Sequence, residues 1–249
     1  MVRGRVWIPV VAALALWTNL PRIAIGDEPA TVKPVPRDDQ KWKDRQAQLN
    51  ARAKQGDVDV IFLGDSITHF WEREEGKAIW DWYFAPRKAM NAGISGDRTQ
   101  HLLWRLEHGN IDGIKPRAAV IMIGTNNSGD DSSKDIAAGV KAIVEKVRQA
   151  LPDTKVLVLG IFPRGPNAND ANRKKNSAAN KIIKKLHNGK MIYYLDISAK
   201  FLRPDGTLSK AIMHDHLHLT QRGYQIWAES IDAKLANLMG EKPIPKRQR

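Results

Sequence analysis

The chain has 249 residues, no cysteine, and 40 lysines and arginines against 27 acidic residues, a formal net charge of +13. Without thiols, disulfides, cysteine-ligated metals and thiol nucleophiles are excluded. The 42% apolar and 27% charged content is ordinary for a globular protein with one large core or at most two modest ones.

The basic residues are dispersed, with small clusters at Arg173-Lys174-Lys175, Lys184-Lys185 and Lys246-Arg247-Gln248-Arg249, none interleaved with aromatics. Solvated helix faces explain that pattern better than a nucleic-acid platform. Acidic surfaces such as anionic polysaccharide or lipid headgroups remain compatible partners.

At the start, Arg3 and Arg5 precede an apolar run over 6–17, and Ala24-Ile25-Gly26 is a small-x-small pattern before Asp27. That is the layout of a secretory signal peptide. The run is about a dozen residues, where a spanning helix needs about 20. Residues 1–26 are therefore read as a signal peptide, and the mature protein as exported to the periplasm or secreted, with no stable membrane insertion after cleavage. An uncleaved membrane anchor is the alternative. The Pro-rich stretch 27–40 reads as a linker, 41–240 as the folded domain, and 241–249 as a basic tail.

Residues 41–54 read as an amphipathic helix leading into the first strand. Short apolar runs then follow at 58–63, 88–91, 118–123, 155–159 and 191–195. Helix-period segments lie between and after them at 98–107, 133–150, 172–187 and 221–238. In the second of these, Ile136, Val140, Ile143, Val144 and Val147 fall on one stripe. Strands alternating with helices of this length predict an α/β fold with a parallel, doubly wound sheet in one domain. Gly64, Gly93, Gly124 and Gly160 each follow a strand, so the loops at the carboxyl ends should line one crevice.

Gly64-Asp65-Ser66 comes directly after the first strand. A serine hydroxyl there is a nucleophile only if a base takes its proton, and the bland reading is an N-cap for the next helix. No Gly-x-Ser-x-Gly elbow occurs, so the common α/β-hydrolase reading is unsupported. Asn91-Ala92-Gly93-Ile94-Ser95-Gly96-Asp97 and Gly124-Thr125-Asn126-Asn127 follow the second and third strands. They offer glycine amides and an Asn side chain as donors to developing negative charge. Turn geometry and an Asx-turn would explain them equally.

Far downstream, His214-Asp215-His216-Leu217-His218 supplies imidazoles and a carboxylate. His218 is read as general base, with Asp215 fixing its tautomer, and His214 and His216 as core histidines. The competing reading is metal: an extended segment would put His214, His216 and His218 on one side.

Together these residues resemble the SGNH (GDSL) hydrolases. Gly-Asp-Ser at 64–66, the glycine at 96, Gly-Thr-Asn at 124–126 and Asp-x-x-His at 215–218 stand in the order of that family's four blocks. The chain looks closest to the catalytic subunits of platelet-activating-factor acetylhydrolase. Gly93-Ile94-Ser95-Gly96-Asp97-Arg98-Thr99-Gln100-His101-Leu102-Leu103-Trp104-Arg105-Leu106 is similar to that group's second block nearly residue for residue. Leu159-Gly160-Ile161-Phe162-Pro163-Arg164-Gly165 and His216-Leu217-His218-Leu219-Thr220 match as well.

The resemblance covers roughly 40–240. It implies a flavodoxin-like five-stranded parallel sheet between helices, with no cofactor and no metal. Ser66 is implied as nucleophile, with Asp215 and His218 completing the catalytic set. The oxyanion donors are implied to be the Ser66 amide, the Gly96 amide and the Asn126 side chain. The resembled subunits pair, so a homodimer is one of the states open to this chain.

Two features depart from that group. The segment between Ser66 and Asn91 is longer and carries Trp71, Trp80, Trp82, Tyr83 and Phe84, read as core or lid packing with a pocket wall as the alternative. The signal peptide also departs, because the resembled subunits are intracellular. The expectation is a serine esterase removing a short acyl group, acetyl first, from a glycan or lipid. The alternatives are a non-catalytic glycan- or anionic-surface-binding protein and a metal-dependent hydrolase built on the alternating histidines.

Overall fold

The computed structural model describes residues 1–2 and 28–247. Five strands form one sheet: β1 (Val60–Gly64), β2 (Ala89–Gly93), β3 (Ala118–Met122), β4 (Lys155–Leu159) and β5 (Ile192–Leu195), in the order β2-β1-β3-β4-β5. All four pairings are parallel. This is the flavodoxin-like order, whose switch point puts the carboxyl ends of β1 and β3 beside the crevice that binds ligands.

Each strand feeds both cores at period two, as a doubly covered sheet requires. Ile61, Leu63, Ala119, Ile121, Val156 and Val158 join one apolar layer with Leu102, Ile143 and Val147. Val60, Phe62, Val120, Met122, Leu157 and Leu159 join the other with Trp71, Tyr224 and Trp227. The first layer is covered by α1 (Gln40–Lys54), α4 (Thr99–Glu107), α5 (Ser133–Ala150) and α6 (Ala171–Ile183). The second is covered by the one-turn α2 (Ser66–His69), α3 (Glu74–Tyr83) and α7 (Gln221–Met239).

The aromatic-rich insertion resolves into packing. Trp71, Tyr83 and Phe84 are buried; Trp71 packs on Tyr224 and Trp227 of α7 and meets Phe84 edge-on. Trp80 stacks edge-on to Phe62, while Trp82 is exposed and donates its indole N–H to the Pro245 carbonyl at 2.9 Å. Trp71, Tyr83 and Phe84 are core, Trp80 borders a cavity with Arg45, Arg52 and Glu72, and Trp82 lies on the surface.

The stretch expected as a linker is docked instead. Thr31 is fully buried, its hydroxyl donating to the Asp135 carbonyl at 2.7 Å while its own carbonyl accepts from Thr99 Oγ1. Val35 N–H donates to Gln100 O, and Arg37 reaches Ser95 O at 2.7 Å. Pro and polar residues suggested freedom; the specific hydrogen bonds that remove it join segments too far apart in sequence to be read locally. The expected tail is likewise held at its start, where Glu241 pairs with Arg87 and Arg117. The signal-peptide reading rests on residues 3–26, which lie outside the described residues. Among those described, no helix is long and apolar enough to cross a membrane.

Candidate active site

β1 ends at Gly64, and Asp65 turns the chain into α2, accepting the Ile67 N–H at 3.0 Å as its N-cap. Ser66 is therefore the first helical residue rather than the cap. Gly64 must lack a side chain here, because a Cβ would lie 2.1 Å from Thr68 Oγ1 and 2.5 Å from Met122 O. That close approach seats α2 over the strand ends with Ser66 nearly buried.

His218 arrives from the loop before α7. Asp215 shapes that loop by accepting the Leu217 and His218 backbone N–H groups at 3.0 and 2.7 Å on Oδ1. Its Oδ2 meets His218 Nδ1 at 2.6 Å. His218 Nε2 lies 3.0 Å from Ser66 Oγ. The loop is braced at both ends: Met213 and Leu219 form an antiparallel bridge, and Thr220 caps α7 while its hydroxyl reaches Ala211 O.

These contacts set the tautomer. Burial alone would raise Asp215, but the His218 backbone N–H, the His218 ring and the Leu217 N–H outweigh it and bring the carboxyl down to about 2. An ionised carboxylate only accepts, so Nδ1 of a neutral His218 must donate, leaving Nε2 to accept from the Ser66 hydroxyl. A proton can then pass from Ser66 to His218 with Asp215 stabilising the imidazolium.

Around Ser66, three loops present donors. Ser66 N–H stands at the first position of α2, where no intrahelical acceptor exists. The Asp97 N–H closes a turn onto Ile94 O at 3.2 Å, with Gly96 at φ +82° in the third place. Such a turn needs glycine there. Asn126 sends one Nδ2 hydrogen to Asp97 O at 2.9 Å, which leaves the second free.

Sequence reasoning missed several neighbours. Phe70 packs on the His218 ring at 5.0 Å between centroids and carries the Arg73 guanidinium 3.3 Å from its own centroid. His69 Nδ1 lies 3.3 Å from Ser95 N and 3.1 Å from Ser95 Oγ. Burial, and then Arg45, Arg73 and Arg105, push its imidazole down to about 4, so it stays neutral as an acceptor. Asp65 is wholly buried, with Oδ2 lacking a hydrogen-bond partner, and desolvation pushes its carboxyl up to about 7.

The three alternating histidines do not share a side, and His214, expected in the core, is exposed while His216 is half-buried. His216 takes a left-handed conformation at φ 60°, which breaks any extended run. The cluster with ligand atoms within 4.8 Å of one another is His214, Asp215 and His218, and there Asp215 Oδ2 already meets His218 Nδ1.

With this geometry in place, comparison with known proteins is direct. The profile of the GDSL-like Lipase/Acylhydrolase family matches residues 62–226. Platelet-activating factor acetylhydrolase IB subunit alpha1 of Bos taurus is 35% identical over 232 residues, 89% of this chain and 98% of that protein. A GDSL-like lipase from Bacteroides thetaiotaomicron superposes with a TM-score of 0.61 at 21% identity, covering 78% of this chain and 97% of that one. An acetylxylan esterase from Geobacillus stearothermophilus does so at 0.56 and 19%, covering 76% and 96%. The family match and the curated relative span the strands and loops described above, and the chain belongs to the GDSL-like lipase/acylhydrolase family of hydrolases.

Proposed function

We propose that the protein is a serine esterase that removes a short acyl group, acetyl first, from an oxygen of a glycan or lipid. The observation that carries this reading is the unbroken hydrogen-bonded line Ser66 Oγ, His218 Nε2, His218 Nδ1, Asp215 Oδ2. Ser66 Oγ attacks the ester carbonyl as His218 Nε2 takes its proton. The tetrahedral oxyanion is received by the Ser66 and Gly96 amides and the free Asn126 hydrogen. Collapse breaks the bond to the alcohol oxygen, which leaves with the proton from His218. Water then gives a proton to His218 and attacks the acyl carbon; the bond to Ser66 Oγ breaks, Oγ takes the proton back from His218, and the carboxylic acid leaves.

The acetyl preference is supported by two similar proteins named above, a platelet-activating factor acetylhydrolase subunit and an acetylxylan esterase. The excess of basic residues suits an acidic glycan or phospholipid. Export through residues 1–26 belongs to the same reading, and it predicts a mature chain beginning at Asp27.

Labelling with a phosphonate ester tests the mechanism: one equivalent bound at Ser66, located by peptide mass, supports it, and labelling elsewhere contradicts it. Turnover of acetylated xylan, acetylated sialic acid and a short-chain phospholipid, assayed side by side, assigns the alcohol.

A further inference from the structure

A buried arginine stands behind the proposed oxyanion donors. Arg105 lies on α4, on the same stripe as Leu102 and Leu106, and has no solvent exposure. Its Nε donates to Asp97 Oδ2 at 2.8 Å. Nη1 donates to Ala92 O at 3.0 Å and to Asn110 Oδ1, and Nη2 donates to Gly64 O at 3.3 Å. Gly64 closes β1 and Ala92 is the next-to-last residue of β2, just ahead of the Ser66 and Gly96 loops.

Asp97 gathers the rest. It too has no exposure. Its Oδ1 accepts the Trp42 indole N–H at 2.7 Å, and its main-chain carbonyl accepts Asn126 Nδ2 at 2.9 Å. From outside, Arg37 holds Ser95 O at 2.7 Å and reaches Asp97 Oδ1 at 3.5 Å. One guanidinium–carboxylate pair therefore touches the bases of all three donor loops: the Ser66 loop through Gly64 O, the Gly96 loop through Ala92 O and Asp97, and Asn126 through Asp97 O.

Resting on the serine-esterase reading above, we infer that Arg105, Asp97 and Trp42 form a clamp that sets the three oxyanion donors at their mutual distances. They are positioning residues: none of them touches the Ser66–His218–Asp215 line. Donors fixed in advance stabilise the oxyanion without reorganising, so loosening the clamp lowers kcat and leaves ground-state binding alone. A planar five-donor guanidinium suits this place because it serves several fixed acceptors at once, which an ammonium cannot.

The experiment measures kcat, KM and the pH dependence of kcat/KM on p-nitrophenyl acetate for Trp42→Phe and Asp97→Asn, alongside thermal unfolding. Trp42→Phe removes one hydrogen bond and keeps the ring; Asp97→Asn keeps the shape and removes the charge. The expected result is a kcat about tenfold lower for Trp42→Phe and about 10²-fold lower for Asp97→Asn. KM should stay within about twofold of the parent, with the pH midpoint unmoved. Ile231→Val, in the opposite core layer, should lose stability without losing kcat.

Wild-type kcat in folded Trp42→Phe and Asp97→Asn overturns the clamp, as does a rise in KM at constant kcat. If Asp97→Asn does not fold, Trp42→Phe alone decides. Ser66→Ala run beside them separates the two ideas. Full turnover there overturns the serine reading itself, whereas its loss with undiminished Trp42→Phe turnover overturns only the clamp.

Discussion

His218 Nε2 lies 3.0 Å from Ser66 Oγ although 152 positions of chain separate the two residues. One stands at the carboxyl end of the first strand and the other just ahead of the last helix. The doubly wound topology closes that distance, because it gathers strand-end loops over one edge of the sheet.

Asp215→Asn should lower kcat on an activated ester by about 10³–10⁴ with the fold intact. An amide can donate to Nδ1, which places the proton on Nε2 and removes the acceptor for the Ser66 hydroxyl. Steady-state kinetics checks this, and a loss under about tenfold would show that His218 is oriented by something else.

Asn126→Ala removes both the proposed oxyanion donor and the hydrogen bond to Asp97 O. The expected outcome is a kcat lower by about 10²–10³ with KM little changed. A KM effect alone would reassign Asn126 to substrate binding.

The wholly buried Asp65 carboxyl, pushed up to about 7, predicts an unusual pH dependence of stability. An unfolded aspartate ionises near pH 4, so between about 4 and about 7 the folded state holds the extra proton. Stability from this group is therefore present at the low end of that window and is lost as pH rises through it. Asp65→Asn keeps the N-cap and removes the cost of a buried charge. Denaturant unfolding should show it more stable than the parent by about 2–4 kcal/mol near pH 8 and equal near pH 4. An equal gain at both pH values would contradict the account.

A serine mechanism needs no metal, so dialysis against EDTA should leave turnover unchanged. Added zinc should inhibit in proportion to its occupancy of His214, Asp215 and His218, the cluster whose ligand atoms lie within 4.8 Å of one another. Loss of activity to the chelator, restored by zinc, would favour the metal-dependent hydrolase instead.

Much of this arrangement was legible in local patterns. Strand β4 and helix α5 occupy the spans that apolar alternation and the 3.6-residue stripe predict, and the other strands shift by one or two residues. The loop residues that come together at the crevice were visible because glycine and asparagine punctuate strand ends. What escaped was carried by long-range pairing. Thr31 is buried by partners on α4 and α5, and Trp42 meets Asp97 across 55 positions. Helix α3 was hidden because its aromatic residues read as core or lid packing, with a pocket wall as the alternative, and no helical segment is predicted there. Arg105 did leave a signal: a cation three residues after Leu102 and beside Leu106, on the face that should be apolar. Phe70 left none, since only the fold brings it to His218.

The most direct test of the central claim is the turnover of Ser66→Ala on p-nitrophenyl acetate, with folding verified by thermal unfolding. The account predicts that kcat falls at least about 10³-fold, toward the rate left by binding and the oxyanion donors alone. Turnover equal to the parent enzyme would contradict it.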